Sequence, residues 1–439
     1  MKLPSYSKMT PSGSEWLGEV PEHWILKPLK RFFWILNGST PKSGEPKYWD
    51  GDIPWATPDD LGSLKGDKLQ FTQRMITKEG YNSCGTKLAP AGSLILSTRA
   101  PIGHLAISGV PTCTNQGCRS LVFCIDDDKR YFYYQLLTTR QEFESWGQGS
   151  TFTELGKDKL GAIYLIAPPQ SEQRAIATFL DRETVRIDTL IEKKERQIEL
   201  LQEKRAALIS NAVTKGLNPN VTMKDSGIEW LGEVPEHWSR KRIKHLGSIR
   251  YGLGEPPAQL EDGVPFIRAT DIYRGRINGE AILRVDPDDV PWSRAVLLRR
   301  RDILVVRSGA YTGDSAIIPQ EWEGSIAGYD LVLRLKRECP EFWAYALLSR
   351  YILQGQIYLA RMRAAQPHLN AEELGEMIIV VPPLIEQQKI TAYLDSGTAD
   401  IDSLSEKIQH SVDLLFEYRS VLISSAVTGK IDMRRGRHG

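Results

Sequence analysis

Apolar residues recur with a seven-residue period along two segments of this chain, while the remaining pattern is shorter and more interrupted. In the first segment Leu180, Ile187, Lys194, Leu201 and Leu208 share one seam position and Thr184, Ile191, Ile198, Arg205 and Ala212 the other, seven of the ten being apolar. Pro168-Pro169 lets a helix start but hardly continue backward, and no Gly or Pro follows from Ser171 until Gly216. In the second segment Leu394, Ile401, Ile408, Leu415 and Leu422 pair with Thr398, Ser405, Val412, Arg419 and Ala426, again seven of ten apolar. Each pattern predicts a long helix with a single apolar seam. Elsewhere, β-branched and aromatic runs bounded by Gly and Pro predict strands at Ser93–Arg99, Gly161–Pro169, Asp302–Gly309 and Glu376–Pro383. Helical stretches are expected near Lys129–Thr139 and Glu341–Leu353, so each part outside the long helices is mixed α and β.

The two helical segments belong to a larger duplication. Ser12–Trp24 reads SGSEWLGEVPEHW and Ser226–Trp238 reads SGIEWLGEVPEHW, identical at 12 of 13 positions with an offset of 214. The segments beginning at Ala167 and Val381 are related by the same offset of 214. Between these anchors the two intervening parts have equal length but differ nearly everywhere. Faint echoes remain: Ile53-Pro54-Trp55 against Val264-Pro265-Phe266, Leu94-Ile95-Leu96 against Ile303-Leu304-Val305, and Leu160-Gly161 against Leu374-Gly375. A frame is repeated, its payload is not, and one fold is expected to carry two different surfaces.

A solitary helix of this kind would leave its seam in water, and burying each apolar side chain is worth about 1.5–3 kcal/mol. The nearest partner is its own duplicate, so the helices are expected to pair as an antiparallel coiled coil about 60 Å long at 1.5 Å per residue. Such a body has a pseudo-twofold axis, as duplex DNA does, and could offer two unlike heads to two unlike half-sites. The plainer alternative is a scaffold rod without sequence readout, which would predict similar payloads in both copies. The charges of Glu192–Arg205 are balanced and read as a solvated face.

At 439 residues, with 41% hydrophobic and 25% charged residues, the chain has material for more than one core. Lys and Arg number 56 against 55 Asp and Glu, a balance unlike that of strongly basic DNA binders, so positive surface must be concentrated or supplied by partners. Five cysteines without a C-x-x-C pair argue against a disulfide framework or a metal site. No apolar run would span a bilayer and the first ten residues lack a signal-peptide core, so a cytoplasmic protein without a membrane partner is expected.

No catalytic constellation emerges. Both Pro-Pro pairs follow Ala167 or Val381, leaving no side chain to hold a target amine as a methyltransferase would, and Gly429-Lys430 is followed by Ile431 rather than by a phosphate-cradling Ser or Thr. A nuclease could be built from Pro58-Asp59 with Asp127-Asp128-Lys129, but that run reads better as a turn and Pro58-Asp59 has no counterpart in the second copy. His23 and His237 lack a nucleophilic partner and are read as packing or capping residues, with Trp16 and Trp230 as apolar anchors. No catalytic and no metal-binding residue is assigned.

The twin openings Pro168-Pro169-Gln170-Ser171-Glu172-Gln173 and Pro382-Pro383-Leu384-Ile385-Glu386-Gln387 stand in register with the two Trp-rich motifs. Leu180-Asp181 and Leu394-Asp395, and the I-D-x-L steps Ile187–Leu190 and Ile401–Leu404, repeat in the same register. Over nearly its whole length the chain resembles the specificity subunit of type I restriction-modification systems. The resemblance implies an α+β fold: two pseudo-repeated mixed α/β target recognition domains joined by two long antiparallel coiled-coil helices. The corresponding boundaries are 1–166 and 218–380 for the recognition domains, 167–217 and 381–431 for the conserved-region helices, and 432–439 for a tail. It further implies that each domain reads half of a bipartite, asymmetric site in double-stranded DNA. Two methyltransferase subunits and two restriction/translocase subunits would be the partners. S-adenosylmethionine, ATP and Mg would then sit on those partners, with no cofactor in this chain.

Base readout needs side chains that reach base edges, chiefly Arg to guanine and Asn or Gln to adenine. Gly-flanked loops after the strand echoes supply the candidates. In the first copy these are Thr57, Asp59, Asp60, Ser97, Thr98, Arg99, Asn115, Gln116, Gln148, Ser150 and Thr151. In the second copy they are Arg268, Thr270, Asp271, Arg307, Ser308, Tyr311, Arg361, Arg363 and Gln366. The run Arg299, Arg300 and Arg301 suits phosphates, which position without specifying. The helix-pairing set is Leu180, Ile187, Ile191, Ile198, Leu201, Leu208, Leu394, Ile401, Ile408, Val412, Leu415 and Leu422.

Overall fold

The long helices begin where proline chemistry dictates. They span Gln170–Lys215 and Leu384–Val427, each directly after a Pro-Pro pair whose carbonyl accepts the first helical N–H groups. The computed structural model describes residues 4–14, 16–124, 127–146, 154–228, 230–273, 275–309, 311–361 and 368–435. Its contacts divide the chain into two units, Met1–Lys193 with Ser411–Gly439, and Lys194–His410, so each unit takes in one half of each long helix. Among the described residues no helix is long and apolar enough to cross a membrane.

In the first unit a five-stranded sheet runs in the order Phe33–Asn37, Cys118–Phe123, Leu94–Ser97, Leu105–Ser108, Lys68–Leu69. A three-stranded sheet, Cys113–Thr114, Trp49–Ala56, Met75–Ile76, lies beside it in sequence and joins its first pair in parallel. The second unit repeats the plan. Its four-stranded sheet runs Gly247–Tyr251, Leu331–Leu335, Ile303–Val305, Ser315–Ile317, and its three-stranded sheet Leu283–Val285, Gln259–Ile267, Ile326–Ala327 again contains one parallel pair. All three sequence echoes fall on equivalent elements: Pro54 and Pro265 on the middle strands of the three-stranded sheets, Ile95 and Leu304 on buried interior strands of the larger sheets, and Gly161 and Gly375 in short helices. The last pair departs from expectation, because the strand predicted from Gly161 begins only at Tyr164.

Each unit closes its core over its own half of the helix pair. Ile176, Leu180, Ile187 and Ile191 share the first unit's core with Val412, Leu422 and Val427, and Ile390 and Leu394 share the second unit's core with Ile209 and Val213. Every expected seam residue is buried or half-buried, whereas Leu200, Leu404 and Leu414, off the seam, are about half exposed. In the first unit Asp188 binds Arg419 at 2.8 Å, and in the second Asp402 binds Arg205 at 3.1 Å. These are one ion pair made twice with its members exchanged between the helices, since Asp402 and Arg419 are Asp188 and Arg205 displaced by 214. Within the second unit the chain directions follow from Arg205 meeting Asp402 while Leu208 meets Gly397, which is antiparallel. A Cβ at Gly397 would lie 2.8 Å from Leu208 Cδ2, so a larger residue there would require that side chain to shift.

Candidate nucleic-acid interface

The repeated motifs first hold one another. Glu172, in the first turn of its helix, accepts from His23 at 2.8 Å, from Trp24 Nε1 at 3.1 Å and from Tyr6 at 2.9 Å. Glu386 accepts from His237 at 2.7 Å and from Trp238 Nε1 at 3.1 Å. The next residue, Gln173 or Gln387, accepts from the backbone N–H of Asp128 or Cys339, the N-cap of the following head helix, and donates to the carbonyl of Pro168 or Pro382. The E-Q pair thus ties the Trp-rich motif and the head to the start of each long helix. His23 and His237 are structural carboxylate partners. Asp127 and Asp128, weighed as nuclease ligands, are held by Gln173 and by capping bonds to Arg130 and Tyr131. Trp24 and Trp238 are the buried anchors; Trp16 is half-buried, and Trp230 is exposed against Gly355.

On this frame four loops of each head converge. In the first, Asn115 N–H donates to Ala56 O at 2.9 Å, Thr98 N–H to Gly117 O at 2.8 Å, and Leu155 N–H to Thr98 O at 2.8 Å. In the second, Gly328 N–H donates to Ile267 O at 2.8 Å and Leu369 N–H to Arg307 O at 2.7 Å. A Cβ on Gly38 would lie 1.8 Å from Asn115 O, and one on Gly252 1.7 Å from Gly328 O, so both heads need glycine at this close approach. The bridges Arg99 to Glu154 and Ser308 to His368 complete the match. The backbone is duplicated while the side chains on it are not.

Several expected readers prove to be builders of these loops. Asp60 and Asp271 are buried N3 residues whose carboxylates return to the N-cap backbone, Asp60 in a full capping box with Thr57: Asp60 accepts from Thr57 N–H at 2.8 Å and Gln73 N–H at 2.7 Å, and Asp271 from Arg268 N–H at 2.8 Å. Ser97 and Thr98 are buried, with hydroxyls donating to Pro101 O and Gly117 O. Their polar groups are consumed by the turn, so a base edge has nothing to meet. Thr57 is half-buried as an N-cap, while Asp59 and Thr270 are exposed, the latter donating to Asp271. Of the phosphate candidates Arg299 and Arg300 are exposed, but Arg301 is engaged by Glu341 at 2.6 Å. Tyr311 is exposed and shares a cleft of about 640 Å³ with Tyr358 and with Glu203 and Ile209 of the first long helix.

What remains at the loop tips differs sharply. The first head presents exposed Gln116, which accepts from Thr40, and Arg99, paired with Glu154 at 2.9 Å; Glu154 also binds Arg119 at 3.2 Å. Asn115 is occupied in part by Gly117 N–H. In the second head the guanidinium of Arg307 lies over the rings of Tyr251 and Tyr329, 4.7 and 4.3 Å from their centroids, and its terminal nitrogen is 2.8 Å from His368 Nε2. Beneath it the buried carboxyl of Asp330 accepts from Arg307 N–H at 3.1 Å, and burial pushes that carboxyl up to about 6. Ser308 is half-buried beside it. Gln148, Ser150, Thr151, Arg363 and Gln366 lie outside the described residues, and of Arg361 only the helical backbone is described. Sequence reasoning missed Tyr251, Tyr329, His368, Arg119 and Glu154. The signal for Tyr251 was present: it precedes Gly252, the counterpart of Gly38 at the offset of 214.

Two stretches of the chain, residues 21–200 and 235–413, match the family model for the type I restriction modification DNA specificity domain. The MjaIX specificity subunit of the type I restriction enzyme of Methanocaldococcus jannaschii is 26% identical over 94% of this chain and 95% of its own length. The EcoBI specificity subunit of the Escherichia coli type I restriction enzyme is 23% identical over 94% of this chain and 87% of its own. A solved chain from work on complex assembly and conformational transition of the type I R-M system shares the fold at a TM-score of 0.70, with 15% identity over 94% of this chain and 99% of that one.

Proposed function

The chain belongs to the type I restriction modification DNA specificity family, and from that premise we propose that it is a sequence-specific DNA-binding specificity subunit. Each head reads one half of a bipartite, asymmetric site. One observation carries this reading: two heads with the same loop backbone present unlike side chains, Arg99, Gln116 and Glu154 in one and Arg307, Tyr251 and Tyr329 in the other. The paired helices act as a coiled-coil spacer between the segments 1–166 and 218–380, supported by the exchanged Asp188–Arg419 and Asp402–Arg205 pairs. The chain itself is non-catalytic. It docks two methyltransferase and two restriction/translocase subunits in the cytoplasm, and these carry S-adenosylmethionine, ATP and Mg. Among its loop residues Arg99, Asn115, Gln116, Arg268, Thr270, Arg307 and Ser308 remain as base readers, with Arg299 and Arg300 on phosphates.

The test replaces residues 25–166 with the head of a relative and sequences the methylated sites made by the assembled complex. One half of the target changes and the other stays. Unchanged targets, or loss of all sequence preference in a folded complex, would overturn the proposal.

A further inference from the structure

Resting on that reading, we infer that Arg307 makes the second half-site depend on a guanine, which its guanidinium fork reads at one position of the major groove. Among the described residues the first head carries no arginine at the equivalent backbone position, which is Thr98.

Several other arginines of the unit that holds Arg307 are engaged by carboxylates, among them Arg276 by Asp402, Arg301 by Glu341 and Arg334 by Asp302. Among the described residues no carboxylate forms a side-chain ion pair with Arg307, and its acidic neighbour Asp330 is turned to the Arg307 backbone N–H. A guanidinium held without a carboxylate partner keeps its charge for an outside acceptor.

Its geometry then selects among acceptors. Contacts with Tyr251, Tyr329 and His368 hold the guanidinium in place before any ligand arrives, which removes much of the rotamer entropy a long side chain would lose on binding. A phosphate contact gains little from this, because a point charge on a mobile stem serves as well. A planar fork held in register serves best where two acceptors lie side by side, and guanine O6 and N7 form that pair in the major groove. Both tyrosine rings are exposed, at 45% and 42%, so the assembly sits at the surface. At the matching backbone position the first head carries Thr98, which is buried and bonded to Gly117 O.

The experiment uses the native chain in complex with its methyltransferase partners, after its methylated motif has been read by sequencing. Duplexes carrying 7-deazaguanine at each guanine in turn compete for binding, since that base lacks the N7 acceptor. One guanine in the half-site assigned to residues 218–380 should weaken binding by about 5- to 150-fold when so replaced. Arg307→Lys should make the same position degenerate in the methylated motif while the other half-site holds. If that half-site contains no guanine, or if no replacement weakens binding, the inference fails although the two-headed reading stands. If the complex shows no motif at all, it is the two-headed reading that fails. Should Arg307→Lys not fold, the competition with native protein decides alone.

Discussion

The two carboxylates that receive the Trp-rich motif differ by one donor, supplied from ahead of the motif, and the difference shows how a duplicated frame can hold its two ends unequally. Glu172 is buried and receives Tyr6, His23 and Trp24, and Arg434 from the tail lies over the Tyr6 ring at 4.7 Å. Glu386 is more exposed and, among the described residues, receives His237 and Trp238, beside a cavity of about 350 Å³ lined by Leu217, Val221, Pro383 and Ile385. Position 220, where the offset would place a second tyrosine, is Asn220. The same motif is therefore a sealed joint in one unit and an open one in the other.

The two joints differ most at their carboxylates. Glu172→Ala leaves three buried or part-buried donors without an acceptor and should cost about 3–5 kcal/mol, against about 1–3 kcal/mol for Glu386→Ala. Urea unfolding of the two variants measures the gap, and equal losses would mean that the third donor contributes nothing.

A smaller effect separates the heads by pH. Asp330 has no acidic counterpart in the first head, where the same N–H is taken by the Gly117 carbonyl. Burial is the main cause that raises its carboxyl from 3.8 to about 6, against the opposing pull of the Arg307 N–H and charge. Between about pH 4 and 6 the folded chain therefore holds a proton that the unfolded chain releases, and stability falls as pH rises through that window. The loss amounts to about 2–3 kcal/mol. Asp330→Asn should flatten this part of the pH profile and leave the protein more stable at pH 7; an unchanged slope would assign it to other groups.

The smallest effect lies in the exchanged ion pairs. Asp402 serves Arg205 and also Arg276 at 2.6 Å, with 21% of its side chain exposed, whereas Asp188 serves Arg419 with 52% exposed. Asp402→Ala should cost about 1–2 kcal/mol and Asp188→Ala less than about 1 kcal/mol. Thermal unfolding at low and high salt reads both, and the Asp188 contribution should be the one that salt removes.

How much could be read in advance depended on the kind of interaction. The seam Leu180, Ile187 and Ile191 with Leu394 and Ile401 was legible because burial follows periodicity, and periodicity is local. The strand echoes were legible for the same reason. The role of Glu172 was not, because its partners stand 148 to 166 residues away. Asp60 and Asp271 looked like polar loop residues, and only the fold reveals that each carboxylate caps its own turn.

By itself the sequence determined that one frame is written twice, that each copy ends in a long seamed helix, and that the heads differ, since repetition and period need no knowledge of neighbours in space. Only the tertiary structure decided which loop residues are spent on building the loops and which stand clear. Thr98 and Arg307 occupy one backbone position, yet one is buried against Gly117 and the other lies over two tyrosines far apart in the chain, Tyr251 at a strand end and Tyr329 in a bend. Hydrogen-bond satisfaction and cation–π contact are settled by distance in three dimensions, and the order of residues along a chain does not carry that distance.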